Sequence, residues 1–117
     1  MLSIWDLLHG LMLPSGNDAA MVLAENFSER ILLHKARRPV PSKENGEVLK
    51  IPDSGHAVFV KEMNKMARKL HMRVTHYANP HGLADKANHS TAYELACLAN
   101  TAMRNEKFAQ VVNTKQF

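Results

Sequence analysis

Apolar residues along this chain recur at the three-and-four spacing of helices in five places, and a polar interval separates the second place from the third. Ile4, Leu7, Leu8 and Leu11 mark one face of a first helix over residues 4–12, with Ser3 as its N-cap. Pro14 stops it. A second helix is expected over residues 18–35, with Ala20, Leu23, Ala24, Phe27 and Ile31 inward and Glu25, Glu29 and Arg30 outward. Its first two turns are apolar nearly all round, which predicts packing on more than one side. Phe59, Met63, Met66, Ala67 and Leu70 give a third helix over residues 56–70, capped by Ser54, with Lys61, Glu62, Lys65, Arg68 and Lys69 on its opposite face. Thr91 and Glu94 form the pattern of a capping box for a fourth helix. Its stripe of Ala92, Leu95, Ala96, Ala99, Ala102 and Met103 is small enough for another helix to approach closely. Residues 106–112 form a short fifth helix.

Between the second and third helices, residues 37–55 carry Pro39, Pro41, Gly46, Pro52 and Gly55 and read as an irregular, exposed excursion. Only Val48 to Ile51 could form a short strand there. Val74 to Tyr77 is β-leaning but brief, and Asn79-Pro80-His81-Gly82-Leu83 has the composition of a turn. The expected fold is mainly α, a single partial domain over residues 1–117 with the excursion at 37–55.

Composition narrows the function classes. Hydrophobic residues make up 45% of the 117, enough for a modest core. Lys and Arg outnumber Asp and Glu by 15 to 11, a net charge of +4, and these residues are dispersed apart from Lys35-Ala36-Arg37-Arg38. A helix-turn-helix reader of DNA needs exposed Arg, Lys, Asn or Gln on its second helix. Ala19 to Ala24 offers none, so no nucleic-acid partner is expected. One cysteine, Cys97, excludes an internal disulfide, and its apolar neighbours predict a buried, inert thiol. No stretch is long enough to span a bilayer, and no signal-peptide pattern is visible in the first residues given. The first residue leads almost directly into a helix, which fits the interior of a longer protein as much as a natural start. Of seven histidines only His76, His81 and His89 cluster, without the spacing of a structural zinc site. Loop hydrogen bonding is their expected role, and neither a metal nor a cofactor is expected.

The turn Ser15-Gly16-Asn17 sets a hydroxyl and a carboxamide at the mouth of the second helix, with Asp18 in its first turn. Read locally, it is helix punctuation, with Ser15 or Asn17 as N-cap and Gly16 supplying backbone angles other residues resist.

A set of segments gives the turn a second meaning. Leu13-Pro14-Ser15-Gly16-Asn17-Asp18-Ala19-Ala20 resembles the second active-site motif of the D-alanyl-D-alanine carboxypeptidases, serine peptidases of the penicillin-binding protein and serine β-lactamase-like superfamily. Trp5 to Leu11 is similar to the helix leading into that motif, and Phe59 to Leu70 to the family's next helix. Thr75 to Leu83, His89 to Ala96 and Val112 to Lys115 are similar to the segments that follow, in the same order. Nearly the whole chain outside the excursion takes part. His71 stands where the family commonly ends its third helix with glycine, so a left-handed histidine is expected there. The excursion is longer than the family's usual connection.

The resemblance implies a helical subdomain of an α+β fold, without the flanking β-sheet part, and an acyl-enzyme hydrolase acting on peptidoglycan stem peptides that end in D-Ala-D-Ala, or acylated by a β-lactam. The superfamily uses Ser-x-x-Lys, Ser-x-Asn and Lys-Thr-Gly motifs. Here only the second is present: none of Ser3, Ser15, Ser28, Ser42, Ser54 and Ser90 has lysine three residues on, and Lys115 is followed by Gln116-Phe117. Ser15 and Asn17 therefore carry over as auxiliary catalytic residues, with no nucleophile in the chain and no activity expected of the chain alone. The family works outside the cytoplasm, although nothing here directs export.

Two other classes remain at this stage. A non-catalytic helical interaction module derived from the family predicts a folded monomer indifferent to Ser15→Ala and Asn17→Ala. A small basic nucleic-acid binder predicts salt-dependent retention on duplex DNA. The apolar faces of the second and fourth helices also predict marginal folding or self-association.

Overall fold

A computed structural model describes residues 2–36 and 55–116 of the chain. Five helices follow one another: α1 Ile4–Met12, α2 Asn17–Ala36, α3 Ala57–Lys69, α4 Ala92–Met103 and α5 Glu106–Val112. Among the described residues no β-strand forms, and the one extended pairing is an isolated antiparallel bridge between His76 and His89. The expected mainly α architecture is what the chain adopts. The excursion at 37–55, the short strand proposed inside it and the Ser54 cap fall outside the described residues, except for Gly55.

Helix α2 is the spine. It packs against α1 on one side and α3 on another, while α5 joins α1 to α4. Ala20, Leu23 and Ala24 are buried, and Phe27 and Ile31 are half-buried, so the inner stripe expected of α2 is realised. The rest of the core is small: Val58, Ala67, Met72 and Val111.

The helix ends follow local chemistry. Ser3 and Asp6 complete a reciprocal capping box on α1, where the Ser3 hydroxyl accepts from the Asp6 amide and the Asp6 carboxylate from the Ser3 amide. Helix α3 starts without a side-chain cap of its own at His56. Its third amide, at Phe59, instead donates to the hydroxyl of Ser28 on α2 at 3.1 Å, and Ser28 is fully buried for the purpose. At the other end, Met72 N–H donates to the Ala67 carbonyl at 3.0 Å and His71 N–H to that of Arg68 at 3.1 Å, a Schellman closure. This requires a left-handed residue, and His71 has φ 60°. A side chain there costs about 1–2 kcal/mol, and glycine's extra chain entropy returns part of that. His71→Gly is therefore expected to raise stability by about 1 kcal/mol, read as a higher urea midpoint with unchanged slope.

Helix α4 corrects the sequence expectation. Leu95 and Met103 are nearly half exposed, at 46% and 47%, and Ala92, Ala96 and Ala99 also lie open. Of the expected stripe Ala102 alone is turned inward, and the rest of the inner face is carried by Glu94, Cys97 and Leu98. Glu94 sets this rotation. Its carboxylate accepts from the amides of Val74 and Thr75 at 3.0 and 2.8 Å and from the Thr75 hydroxyl at 2.5 Å. Those three bonds replace the reciprocal half of the expected capping box. Thr91 still caps the helix, accepting from the Glu94 amide. Cys97 is half-buried, more open than expected. Two further positions differ for a similar reason: Met66 is 52% exposed, and the buried polar residue of α3 is its neighbour Asn64.

Candidate functional site

The turn between α1 and α2 is built on a close approach of backbone to backbone. Leu13 N–H donates to the His9 carbonyl and ends α1. Gly16 N–H then donates to the Gly10 carbonyl at 2.9 Å, meeting one of the acceptors that a helix end leaves open. The two backbones lie so near that a Cβ at Gly16 would sit 2.5 Å from the Gly10 oxygen. Glycine is thus required at position 16 for space. The left-handed angle falls one residue earlier, on Ser15 at φ 58°. A serine held there carries backbone strain of the kind that clusters at functional sites.

The first intrahelical bond of α2 runs from Ala20 N–H to the Gly16 carbonyl, which makes Gly16 the start of the helix. The capping role expected of Ser15 or Asn17 is not taken up. Both side chains are exposed, and neither forms a hydrogen bond to the described residues. Asp18 lies in the first turn of α2, where a negative charge is favourable. The turn thus presents a hydroxyl and a carboxamide whose hydrogen-bonding capacity is unused by this chain's described residues.

Its support comes from both flanks. The His9 ring is buried, with Nδ1 2.8 Å from the Trp5 carbonyl and Nε2 3.2 Å from the Thr114 hydroxyl. This ties α1 to the segment after α5. Trp5 meets the same imidazole edge-on at 4.9 Å. On the other side, Pro80 shares a small apolar cavity of about 250 Å³ with Leu8, Leu11, Ala20 and Leu23. The 79–83 turn thus packs through Pro80 against the apolar side of α1 and α2.

The 74–90 segment is held by side chains acting as backbone partners. Asn64 of α3 accepts from the Tyr77 amide at 2.8 Å and donates to the Tyr77 carbonyl at 2.7 Å, as a neighbouring strand would. Asn88 accepts from the Ala78 amide, and Asn79 accepts from the Gly82 amide while donating to the Leu83 carbonyl. Asn64 and Glu94 were not singled out as site supports by their sequence context. A polar residue on the apolar side of α3 was the available sign for Asn64. For Glu94, the capping-box pattern accounted for the residue in advance.

Glu94 makes this support sensitive to acid. The Thr75 hydroxyl, then the Val74 and Thr75 amides, hold its carboxyl below the usual 4.5, against the opposing effect of burial. Asp6 is lowered in the same way by the Ser3 hydroxyl and amide. A folded-state pKa below the unfolded one gives stability that is present above the unfolded value and lost as pH falls through the folded one. The melting temperature is expected to drop between about pH 5 and pH 3, and Glu94→Gln to flatten that part of the profile. A Glu94→Gln chain with the parent's acid profile would show that the carboxylate does not matter.

His76 and His89 stack at 5.7 Å between ring centroids, and His81 accepts from the Leu83 amide through Nδ1. The expected loop hydrogen bonding is present at His81 and His89. Among the described residues no three His, Cys, Asp or Glu side chains converge on a point where a metal ion could sit.

Comparison with known proteins places this arrangement. The family model described as D-alanyl-D-alanine carboxypeptidase matches residues 50–116, more than half of the chain. The chain belongs to the D-alanyl-D-alanine carboxypeptidase family, and its five helices are a helical portion of that fold. It is similar to a D-alanyl-D-alanine carboxypeptidase of a Streptomyces species, 34% identical over 98% of this chain and 33% of that protein. The D-alanyl-D-alanine carboxypeptidase DacD of Escherichia coli is 33% identical over 89% of this chain and 20% of its own length. DacF of Bacillus subtilis is 28% identical over 97% of this chain and 23% of its own. The chain thus spans a third or less of these relatives. No helix among the described residues is long and apolar enough to cross a membrane.

Proposed function

We propose that these residues supply the Ser-x-Asn part of a serine-type D-Ala-D-Ala carboxypeptidase site, with Ser15 and Asn17 as auxiliary catalytic groups. The observation that carries this reading is the turn itself: Ser15 sits in a left-handed backbone, and both side chains face outward without a bond to the described residues. A cap would have spent them. In the complete site a nucleophilic serine, activated by its lysine, attacks the carbonyl of a terminal D-Ala-D-Ala bond of a peptidoglycan stem peptide, and water then releases the acyl group. A β-lactam would acylate the same serine. Ser15 relays a proton during these steps, and the Asn17 amide holds substrate or the lysine.

The 117 residues contain neither Ser-x-x-Lys nor Lys-Thr-Gly, and no hydrolase activity is expected of them alone. The open faces fit this role. Leu95 and Met103 on α4, and Leu2, Ile4 and Val22 beside α1 and α2, are the surfaces a larger domain would cover. Uncovered, the same faces would drive self-association.

The test exchanges residues 1–117 for the corresponding third of the Streptomyces relative. The exchanged protein is expected to be acylated by a fluorescent penicillin and to release D-Ala from a D-Ala-D-Ala peptide, whereas the isolated chain does neither. Ser15→Ala in the exchanged protein should lower acylation by about 10²-fold or more. Acylation of the isolated chain would overturn the incompleteness. Unchanged acylation by the Ser15→Ala and Asn17→Ala variants would favour a non-catalytic helical module instead.

A further inference from the structure

The 74–90 segment carries a feature that the peptidase reading leaves unused. Residues 76, 81 and 89 are distant enough in sequence to form no motif, yet the antiparallel bridge and the Asn79 turn bring all three histidines to the wall of one shallow depression of about 440 Å³. We propose that this depression is an acid-activated binding site for a small oxyanion, a phosphate or carboxylate group, held by His76, His81 and His89.

The hydrogen bonds assign the nitrogens. His81 Nδ1 accepts the Leu83 amide at 3.1 Å, so the neutral ring carries its proton on Nε2 and donates from there. His89 Nδ1 lies 2.9 Å from the Ala87 carbonyl, an acceptor, so that nitrogen holds the proton of the neutral ring. Its Nε2 becomes a donor only when the ring gains a second proton. His76 lies stacked on His89, with the rings 23° from parallel. Protonating both places two positive charges side by side, and an anion against the pair relieves their repulsion. Histidine is the side chain whose ordinary change of charge falls between pH 5 and 8.

The surroundings suit an anion. No carboxylate lines the depression. Glu94 of α4 is committed to Val74 and Thr75, Asp85 caps the Ala87 amide, and α3 contributes only Met63 to this wall. Tyr77, also on the wall, has its phenol pushed above the usual 10.0 by burial and then by the Glu94 charge, which keeps its hydroxyl a donor. A metal would need three lone pairs meeting at one point, and among the described residues no three His, Cys, Asp or Glu side chains are so placed, whereas an oxyanion offers several oxygens to separate donors. This site is independent of the role given to Ser15 and Asn17.

The experiment is a histidine-resolved NMR titration of the full chain from pH 8.5 to 5, in inorganic phosphate, in acetate and in chloride at equal ionic strength. By linkage, an anion that prefers the protonated pair raises the midpoints of His76 and His89, by about one pH unit once it exceeds its dissociation constant about tenfold. His9, His34, His56 and His71 are expected to stay put. A shift in phosphate alone assigns a phosphate group, and a shift in acetate as well admits carboxylates. In His89→Phe, which keeps a stacking ring and removes the nitrogens, the His76 midpoint should no longer respond to either anion. No shift over chloride in the parent, equal shifts at all seven histidines, or saturable Zn²⁺ binding by the same three at pH 8 would overturn the assignment.

Discussion

Replacing Asn64 by leucine is expected to remove most of the chain's stability. The substitution nearly preserves volume, so packing changes little. It deletes the acceptor for the Tyr77 amide and the donor to the Tyr77 carbonyl, at a side chain only 8% exposed. Each backbone group left unpaired costs about 1–3 kcal/mol, which places the total near 3–4 kcal/mol. A domain of this size with so small a core has about 5 kcal/mol to lose. Asn64→Asp separates the two bonds, because it keeps an acceptor for the Tyr77 amide but sets a charged oxygen against the Tyr77 carbonyl. The aspartate chain should be destabilised at neutral pH and recover in part when its carboxyl is protonated. Far-ultraviolet circular dichroism against urea measures both, and a leucine chain with the parent's midpoint would show that water replaces Asn64 without cost.

The two glycines of the α1–α2 junction are expected to respond in opposite directions. At Gly16 an added methyl would stand 2.5 Å from the Gly10 carbonyl oxygen, a backbone atom that cannot swing aside. Gly16→Ala must therefore push α1 and α2 apart or break the 2.9 Å bond between the two residues. Overpacking of this kind costs about 2–3 kcal/mol. At Gly10 a methyl meets only the Ala19 Cβ, at 3.8 Å, which is ordinary contact inside a helix. Gly10→Ala should stabilise by about 0.5–1 kcal/mol through helix propensity. In the exchanged full-length protein, Gly16→Ala should also lower penicillin acylation by about 10²-fold, since a displacement near 1 Å at a positioned group has that effect. Equal stability of the two alanine variants would mean that the turn gives way without strain.

How much of this was legible beforehand follows from which interactions are local. The helices of α1, α2, α3 and α5 follow from apolar spacing, proline and caps, and their limits fall within a residue or two of expectation. The left-handed histidine at 71 was legible only through the resemblance, which puts the family's glycine at that place. Spacing alone could not say which face of α4 turns inward. That rotation depends on a carboxylate reaching Val74 and Thr75, some twenty residues away. For the same reason Asn64 passed as part of an ordinary helix. At the α1–α2 junction, Ser15 precedes α2 and Asn17 opens it, while the unusual backbone angle that the sequence reading gave to Gly16 falls on Ser15. A close approach between two main chains leaves no pattern in either segment, so only the structure distinguishes a glycine needed for space from one needed for angle.

The hydroxyl of Ser28 makes the start of α3 depend on α2. Helix α3 does not contain the signal for its own beginning, because the group that satisfies its third amide is borne by α2. A peptide covering α3 alone would fray at that end, and its first turn would close only on contact with α2. The two helices therefore meet as one unit at that end, where a buried oxygen of α2 completes the first turn of α3 beside the Phe27–Phe59 ring contact.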